Sequence, residues 1–218
     1  MNCKGFTLAE VLITIGVIGI VASLTIPTLV NNNRNAQLRT GLNASYSLVS
    51  QAITRLSSDI GGNIHSRYAY QEDTLKPDLI KYFKVIKDCN LHDCVQPSGR
   101  MCYHYKEFVG DNNRLNGHYI AHGQFVLANG MTVFVFNGTG SHLAISVDVN
   151  GHNKGPNRLG YDFFTFQIMP DNTIRPAGSP QSDISEVSLC STTTPALSNG
   201  IGCTAKALFD DSYWKELN

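Results

Sequence analysis

An apolar run close to the first residue restricts the folds that this chain can adopt. Residues 6–26 read FTLAEVLITIGVIGIVASLTI and contain one charged side chain, that of Glu10. As an α-helix this run would extend about 31 Å, close to the roughly 30 Å thickness of the hydrocarbon layer of a membrane. The run therefore predicts a helix that spans a membrane.

A helical pattern continues beyond the apolar run. Pro27 comes next, and we expect a kink there, because proline lacks an N–H group and its ring meets the carbonyl of Ser23. Apolar side chains then recur three or four positions apart: Leu38, Leu42, Tyr46, Val49, Ile53, Leu56 and Ile60. This spacing predicts one apolar stripe on an amphipathic helix, which Gly61 and Gly62 should end. The prediction is one helix over residues 6–61, membrane-spanning to about residue 30.

The remaining residues, 62–218, are numerous enough for one folded domain, called the head below. Residues 63–123 show little pattern beyond a short helix at 75–83. After them, apolar runs flank turn signals such as Asn129-Gly130 and predict strands at 125–127, 131–136, 143–149, 163–169 and 173–175, before a closing helix at 205–217. Successive strands without intervening helices predict an antiparallel sheet of about four strands. The predicted fold class is α+β, a long N-terminal α-helix packed through its second half on a C-terminal antiparallel β-sheet.

Charge and motifs argue against several function classes. Lys plus Arg and Asp plus Glu both number 17, so the net charge is zero and no basic footprint for nucleic acid is present. His118 and His122 have the spacing of a zinc-protease helix, but Tyr119 stands where that motif needs glutamate. The sequence has no phosphate-binding glycine loop and no Gly-x-Ser-x-Gly motif. We therefore expect that the protein is not an enzyme.

Five of the six cysteines lie in the head. Cys190 and Cys203 are predicted to form a disulfide, because they are 13 residues apart in a Ser/Thr-rich segment with little apolar content. Cys89, Cys94 and Cys102 then leave one cysteine over, and the spacing does not choose it. An alternative for these three is a zinc site completed by His92 and His104.

The N-terminal residues carry a resemblance to a known family. Gly5-Phe6-Thr7-Leu8-Ala9-Glu10, followed by an apolar run and Pro27, resembles the type IV pilin and type II secretion pseudopilin superfamily. The resemblance implies that residues 1–5 are a leader, that a prepilin peptidase cuts between Gly5 and Phe6, and that Phe6 is then N-methylated. It also implies subunits that polymerise with identical or related pilins through an assembly ATPase and a membrane platform. Such a subunit starts in the inner or cytoplasmic membrane with its head outside the cytoplasm, and ends in a cell-surface or periplasmic filament.

Glu10 supports this resemblance on physical grounds. A carboxylate inside a membrane span costs roughly 2.5 to 3.5 kcal/mol on insertion scales and so indicates a function. The apolar run has no Lys or Arg to pair with it. Cleavage after Gly5 would create a positive amine at Phe6, and in a bundle of helices the amine of one subunit would meet Glu10 of the next. Glu10 is therefore the predicted assembly residue.

An ordinary secretory signal peptide is the alternative. Val21-Ala22-Ser23 loosely fits a signal-peptidase site and would give a mature chain starting at Leu24. The product would be a secreted or membrane-anchored binding protein or adhesin. That interpretation leaves Glu10 without a role and ignores the helical pattern after Pro27.

The loop over residues 148–162 suggests a calcium site. Asp148, Asn150 and Asp162 supply side-chain oxygens, and glycines between them allow carbonyl groups to turn inward. Some pseudopilins carry calcium in a C-terminal loop, so the resemblance favours this ligand. The alternative is an ordinary connection between strands in which Asp and Asn cap the backbone.

Overall fold

A computed structural model describes residues 5, 7–138, 142–184 and 187–217 of the chain. One helix, α1 (Leu8–Ile60), has 53 residues and continues through Pro27. Gly61 ends it with a φ of 61°, a left-handed conformation that glycine adopts without a side-chain clash. The bounds of α1 lie within two residues of the predicted ones.

The second half of α1 packs on the head. Its buried side chains lie on one face: Leu38, Leu42, Ser45, Val49, Ala52, Ile53 and Leu56. Tyr46 and Ile60 are partly buried against the same core. Gly41 permits a close approach, because a Cβ atom there would lie 3.0 Å from the Cβ atom of Val149. The predicted apolar stripe is thus confirmed.

Eight strands follow one another in the described residues. They are β1 (Val85–Asp88), β2 (Met101–Lys106), β3 (Asn113–Asn116), β4 (Gln124–Leu127), β5 (Thr132–Phe136), β6 (Leu143–Asp148), β7 (Phe163–Ile168) and β8 (Ile174–Pro176). Six of them form an antiparallel sheet with the order β1-β4-β5-β6-β7-β8, and β2 pairs with β3 in a separate hairpin. The α+β fold is confirmed, but the sheet has six strands rather than about four. The prediction missed β1, a short and largely exposed edge strand that carries Lys87 and Asp88.

Both faces of the central strands are covered. Every residue of β6 and β7 is buried. One face packs against α1 through Val133, Ile145, Val147, Phe164 and Phe166. The other packs against the β2–β3 hairpin and the C-terminal segment through Phe134, Ala144 and Phe163. Burial on both faces explains why these strands appear in the sequence as nearly continuous apolar runs.

Four short α-helices lie in the described part of the head. They are α2 (Ile64–Tyr68), α3 (Leu75–Leu79), α4 (Thr204–Phe209) and α5 (Tyr213–Glu216). The single closing helix predicted at 205–217 is therefore two helices. Near them, the Nδ2 atom of Asn35 donates to the carbonyl of Trp214 at 3.0 Å, and Arg39 pairs with Asp211. The C-terminal helices thus meet α1 at the lower limit of its packed half.

Candidate functional site

The first turn of α1 is organised around Glu10. The backbone N–H and the hydroxyl of Thr7 both donate to Oε2 of Glu10 at 2.8 Å, and the N–H of Glu10 donates to the Thr7 hydroxyl at 3.3 Å. This reciprocal arrangement is a capping box, which supplies acceptors to N–H groups that have no partner within the helix. Oε1 of Glu10 accepts no hydrogen bond within the described part of the chain and is left to meet another donor.

The helix beyond this turn has no cover from the head. Its large apolar side chains up to Val30 range from 44% exposed at Val11 to 78% exposed at Leu8. Among the described residues, α1 is the one helix long and apolar enough to cross a membrane, and its most apolar window is not buried at all. A helix that is apolar on every side and exposed to water is unfavourable, so this half requires lipid or other helices around it.

Residues 1–26 match the family model of the prokaryotic N-terminal methylation motif. The chain carries the prepilin motif of type IV pilins and pseudopilins. No curated protein and no solved structure matches the chain. The prepilin motif covers the predicted leader, the predicted cleavage point and Glu10, and the match does not extend into the head.

The structure describes only part of the prepilin motif. Gly5 is exposed, as a cleavage site must be, and Thr7 and Glu10 are placed as above. Cys3, Lys4 and Phe6 lie outside the described residues, so the predicted cleavage and methylation at Phe6 remain predictions. Pro27 lies inside α1, and the kink expected there remains a prediction as well.

The head cysteines form two disulfides. Cys190 is bonded to Cys203, the pair proposed from the sequence, and Cys89 is bonded to Cys94. Cys102 is free and buried on strand β2. Because a disulfide uses Cys89 and Cys94, these two are not thiolate ligands, and the zinc alternative has lost its main donors.

The residues proposed for calcium are brought together, because the register pairs Asp148 with Phe163 and so places Asp162 beside it. Oδ1 of Asp148 accepts from the N–H groups of Asn150 at 3.3 Å and Gly151 at 2.8 Å. Its Oδ2 accepts from the hydroxyl of Tyr105 at 2.9 Å. The result is a fully buried carboxylate with donors on both of its oxygens.

Asp162 has the same kind of environment. Its Oδ1 accepts from the N–H of Arg158 at 2.7 Å, and its Oδ2 accepts from the N–H of Asn157 at 2.8 Å. Burial raises the pKa of Asp162 to about 6. Burial, followed by the adjacent charge of Asp162, raises the pKa of Asp148 well above its ordinary value. Both carboxyls therefore favour the neutral form more than an exposed aspartate does.

These contacts fit the backbone-capping alternative better than a cation site. The N–H and hydroxyl donors point at the oxygens that calcium would need, and Asn150 turns its Nδ2 atom to the carbonyl of Gly155 at 3.1 Å. Within the described residues, no group of three or more His, Cys, Asp or Glu side chains is placed to hold a metal ion. Calcium binding by Asp148, Asn150 and Asp162 stays a prediction that would require these donors to move.

Two functional contacts were missed at the sequence level. Thr7 and Glu10 have the Thr-x-x-Glu spacing of a capping box, so the signal was present in the sequence. The hydrogen bond from the Tyr105 hydroxyl to Asp148 had no such signal in the sequence. The two residues are 43 positions apart and meet only through the packing of β2 on the sheet.

Proposed function

We propose that this protein is a structural subunit of a type IV pilus-like filament or a secretion pseudopilus. A prepilin peptidase removes residues 1–5 and methylates the new amine of Phe6. Before assembly, the subunit resides in the inner or cytoplasmic membrane with its head outside the cytoplasm. An assembly ATPase and a membrane platform then transfer it into a cell-surface or periplasmic filament of identical or related subunits.

The observation that carries this proposal is the exposed apolar half of α1 behind a matched prepilin motif. Its side chains are apolar on all sides and the head covers none of them, so they suit two successive environments. Lipid surrounds them before assembly, and the same half of neighbouring subunits surrounds them afterwards. A binding protein that needed only an anchor would not require the methylation motif or a carboxylate in the span.

Glu10 is the proposed selective contact of assembly. Thr7 donates to Oε2 of its carboxylate, and Oε1 accepts no hydrogen bond among the described residues. The positive amine of Phe6 in an adjacent subunit is the donor we propose. In a low-dielectric bundle, such a pair favours the axial offset that brings amine and carboxylate together and disfavours offsets that leave either charge unpaired.

We propose a structural role rather than catalysis for the head. Asp148 and Asp162 cap the loop at residues 148–162, and the two disulfides tie the β1–β2 connection and the C-terminal segment. Calcium remains a proposed ligand of that loop. None of these roles involves nucleic acid, in keeping with the zero net charge.

The decisive experiment is intact mass and N-terminal sequencing of the mature protein from its native cell. We expect a chain that begins at N-methyl-Phe6. A mature chain that begins at Leu24 would show ordinary signal-peptidase cleavage, and it would remove the stem on which the proposal depends. A Gly5→Leu variant supplies the control, because a bulky side chain at the cleavage position should leave the leader attached while the apolar run still inserts.

A further inference from the structure

A polar cleft lies between α1 and two loops of the head. Its volume is about 410 Å³. The helix contributes Arg34 and Gln37, the β4–β5 turn contributes Asn129, and the β6–β7 loop contributes Lys154. The buried side chains of Leu38 and Val149 form its floor. The cleft is thus a small basin with an apolar base and a polar rim.

The rim of this cleft is cationic and rich in amide donors. Arg34 and Lys154 are exposed, and among the described residues neither forms an ion pair. The Oδ1 atom of Asn129 accepts from the N–H of Met131 at 3.2 Å, so its amide nitrogen remains for a ligand. None of the residues lining the cleft is acidic.

The positive charge of Arg34 acts on the carboxylate of Asp162, and this carboxylate does not open into the cleft. Asp162 is fully buried, and the backbone N–H groups of Asn157 and Arg158 occupy its two oxygens. The accessible charge of the cleft is therefore positive, and its chemistry suits an anion with several oxygen acceptors. A phosphate group has these properties, and arginine and lysine are its usual protein ligands.

The position of the cleft along α1 indicates where such a phosphate comes from. Val30 is the last exposed apolar side chain of the span, and Arg34 follows it by one helical turn. At 1.5 Å per residue, Arg34 lies roughly 6 Å beyond Val30. The headgroup layer of one leaflet is about 5–7 Å deep, so the cleft opens at the depth of lipid phosphates.

We infer that this cleft binds the phosphate group of a phospholipid, with Arg34 and Lys154 as its charged ligands. Gln37 and Asn129 donate further hydrogen bonds, and Leu38 and Val149 contact the carbon atoms next to the phosphate. The bound lipid sets the height and rotation of the head above the membrane before assembly. The inference rests on the membrane-spanning part of the proposed function and does not depend on filament formation.

The test is native mass spectrometry of the full chain, purified in a non-ionic detergent and titrated with phosphatidylglycerol. We expect one tightly bound lipid per chain, and a preference of about tenfold or more over a diacylglycerol with the same acyl chains, because two charge-assisted contacts are lost with the headgroup. The double variant Arg34→Gln/Lys154→Gln should lose this preference. Phosphatidylglycerol bound equally by wild type and double variant would overturn the inference.

A matched control distinguishes lipid binding in the cleft from a general effect of positive charge. Arg55→Gln/Arg114→Gln also removes two positive charges, from exposed positions far along α1 and on strand β3 of the separate hairpin. This variant should bind phosphatidylglycerol as the wild type does, whereas a loss similar to that of the cleft variant would show a nonspecific charge effect and refute the site. The melting temperature of each variant, followed by the fluorescence of Trp214, verifies that the head remains folded.

Inorganic phosphate distinguishes the two sources of the ligand. If the cleft takes a lipid phosphate, millimolar inorganic phosphate should displace phosphatidylglycerol only weakly, because the free ion lacks the carbon atoms that contact Leu38 and Val149. Full displacement would reassign the cleft to free phosphate and overturn the lipid inference. The titration takes place in detergent without assembly, so loss of filaments with lipid binding retained would count against the proposed function alone.

Discussion

The two halves of α1 have the same secondary structure and opposite surroundings. From Leu8 to Val30 the helix is apolar on all sides and exposed, whereas from Leu38 onward it buries one face against the head and presents polar residues elsewhere. Hydrogen bonds within the helix are available in both halves, so helix formation does not distinguish them. The distribution of apolar side chains around the axis therefore selects the partner of each half, which is a folded domain for the second half and lipid or other helices for the first.

Several contacts between α1 and the head lie at the boundary between the halves. Asn35 and Arg39 contact the C-terminal helices there, and Gly41 brings the helix against Val149. The cleft with Arg34 and Lys154 opens on the same level. Changes to the first half should therefore alter assembly, changes to the second half should alter the stability of the head, and changes near the boundary should affect stability more weakly.

The largest effect is expected at Glu10. Glu10→Gln keeps an acceptor for the capping box but removes the charge, and Glu10→Ala removes both. Both variants should insert in the membrane at least as well as the wild type, because a buried charge is lost, and both should fail to form filaments. Membrane fractionation and electron microscopy of sheared filaments measure the two outcomes. Normal filaments from Glu10→Gln would show that the charge is not the assembly contact.

A control distinguishes the effect of the Thr7 helix cap from the effect of the Glu10 charge. Thr7→Val removes the hydroxyl that contacts Glu10 and leaves the carboxylate in place, whereas Thr7→Ser retains the cap. Loss of a cap costs about 1 kcal/mol, which a long helix in a membrane tolerates. Filaments should persist in both Thr7 variants, although their amount should be lower in Thr7→Val.

The comparison of the two halves is sharpest for a pair of leucines. Leu56 is 1% exposed in the packed half, and Leu29 is 62% exposed in the first half. Leu56→Ala should lower the free energy of unfolding of the head by about 2–5 kcal/mol, because it removes buried methyl groups and leaves a cavity. Leu29→Ala should leave it unchanged. Denaturant unfolding of the full chain in detergent, followed by Trp214 fluorescence, compares them, and equal losses would mean that the first half also packs on the head.

Removal of the disulfide Cys190–Cys203 tests how far the head stabilises the boundary between the two halves of α1. It closes a loop just before α4, and α4 and α5 lead to the contacts of Asp211 and Trp214 with α1. Cys190→Ala/Cys203→Ala should destabilise the head by about 3 kcal/mol, the loop-closure effect for a loop of this size. Hydrogen exchange should rise first around residues 35–39. Cys102→Ala, which breaks no disulfide, is the matched control and should change exchange there little.

Acidification should stabilise the loop that packs on Gly41. The pKa of Asp162 is raised to about 6 from 3.8, so the folded state binds a proton that the unfolded state releases between those values. Its contribution to stability is complete below about pH 4 and disappears as the pH rises through about 6. Asp148 shifts in the same direction. The stability of the wild type relative to Asp162→Asn should therefore fall by on the order of 2–3 kcal/mol between pH 4 and pH 7.

Calcium distinguishes the two interpretations of this loop. A bound cation favours the ionised carboxylates, so millimolar calcium added to chelator-treated protein should raise the melting temperature above pH 6 and reverse the pH trend. Magnesium should do much less, because it prefers a stricter octahedral shell. If Asp148 and Asp162 only cap the backbone, calcium should leave the melting curve unchanged at every pH.

Local patterns explain what could be predicted. The helix α1 is long, its periodicity is strong, and Gly61 provides a stop, so its bounds follow from neighbouring residues alone. Strands β4 to β7 are apolar enough to stand out, and Asn129-Gly130 specifies the turn between β4 and β5. The β2–β3 hairpin was not predicted, because its short strands alternate weakly and face the sheet on one side only.

The amino-acid sequence alone predicts the long helix, its division into an apolar and a one-sided half, the prepilin motif and the antiparallel order of the main strands. These properties depend on residues close together in the chain. Tertiary packing, in contrast, establishes that β1 joins the sheet beside β4, that Cys89 pairs with Cys94, that Tyr105 donates to Asp148, and that Arg34 and Lys154 share a cleft. Each of these contacts joins residues through the packing of separate elements, and a local pattern carries no information about which elements will meet.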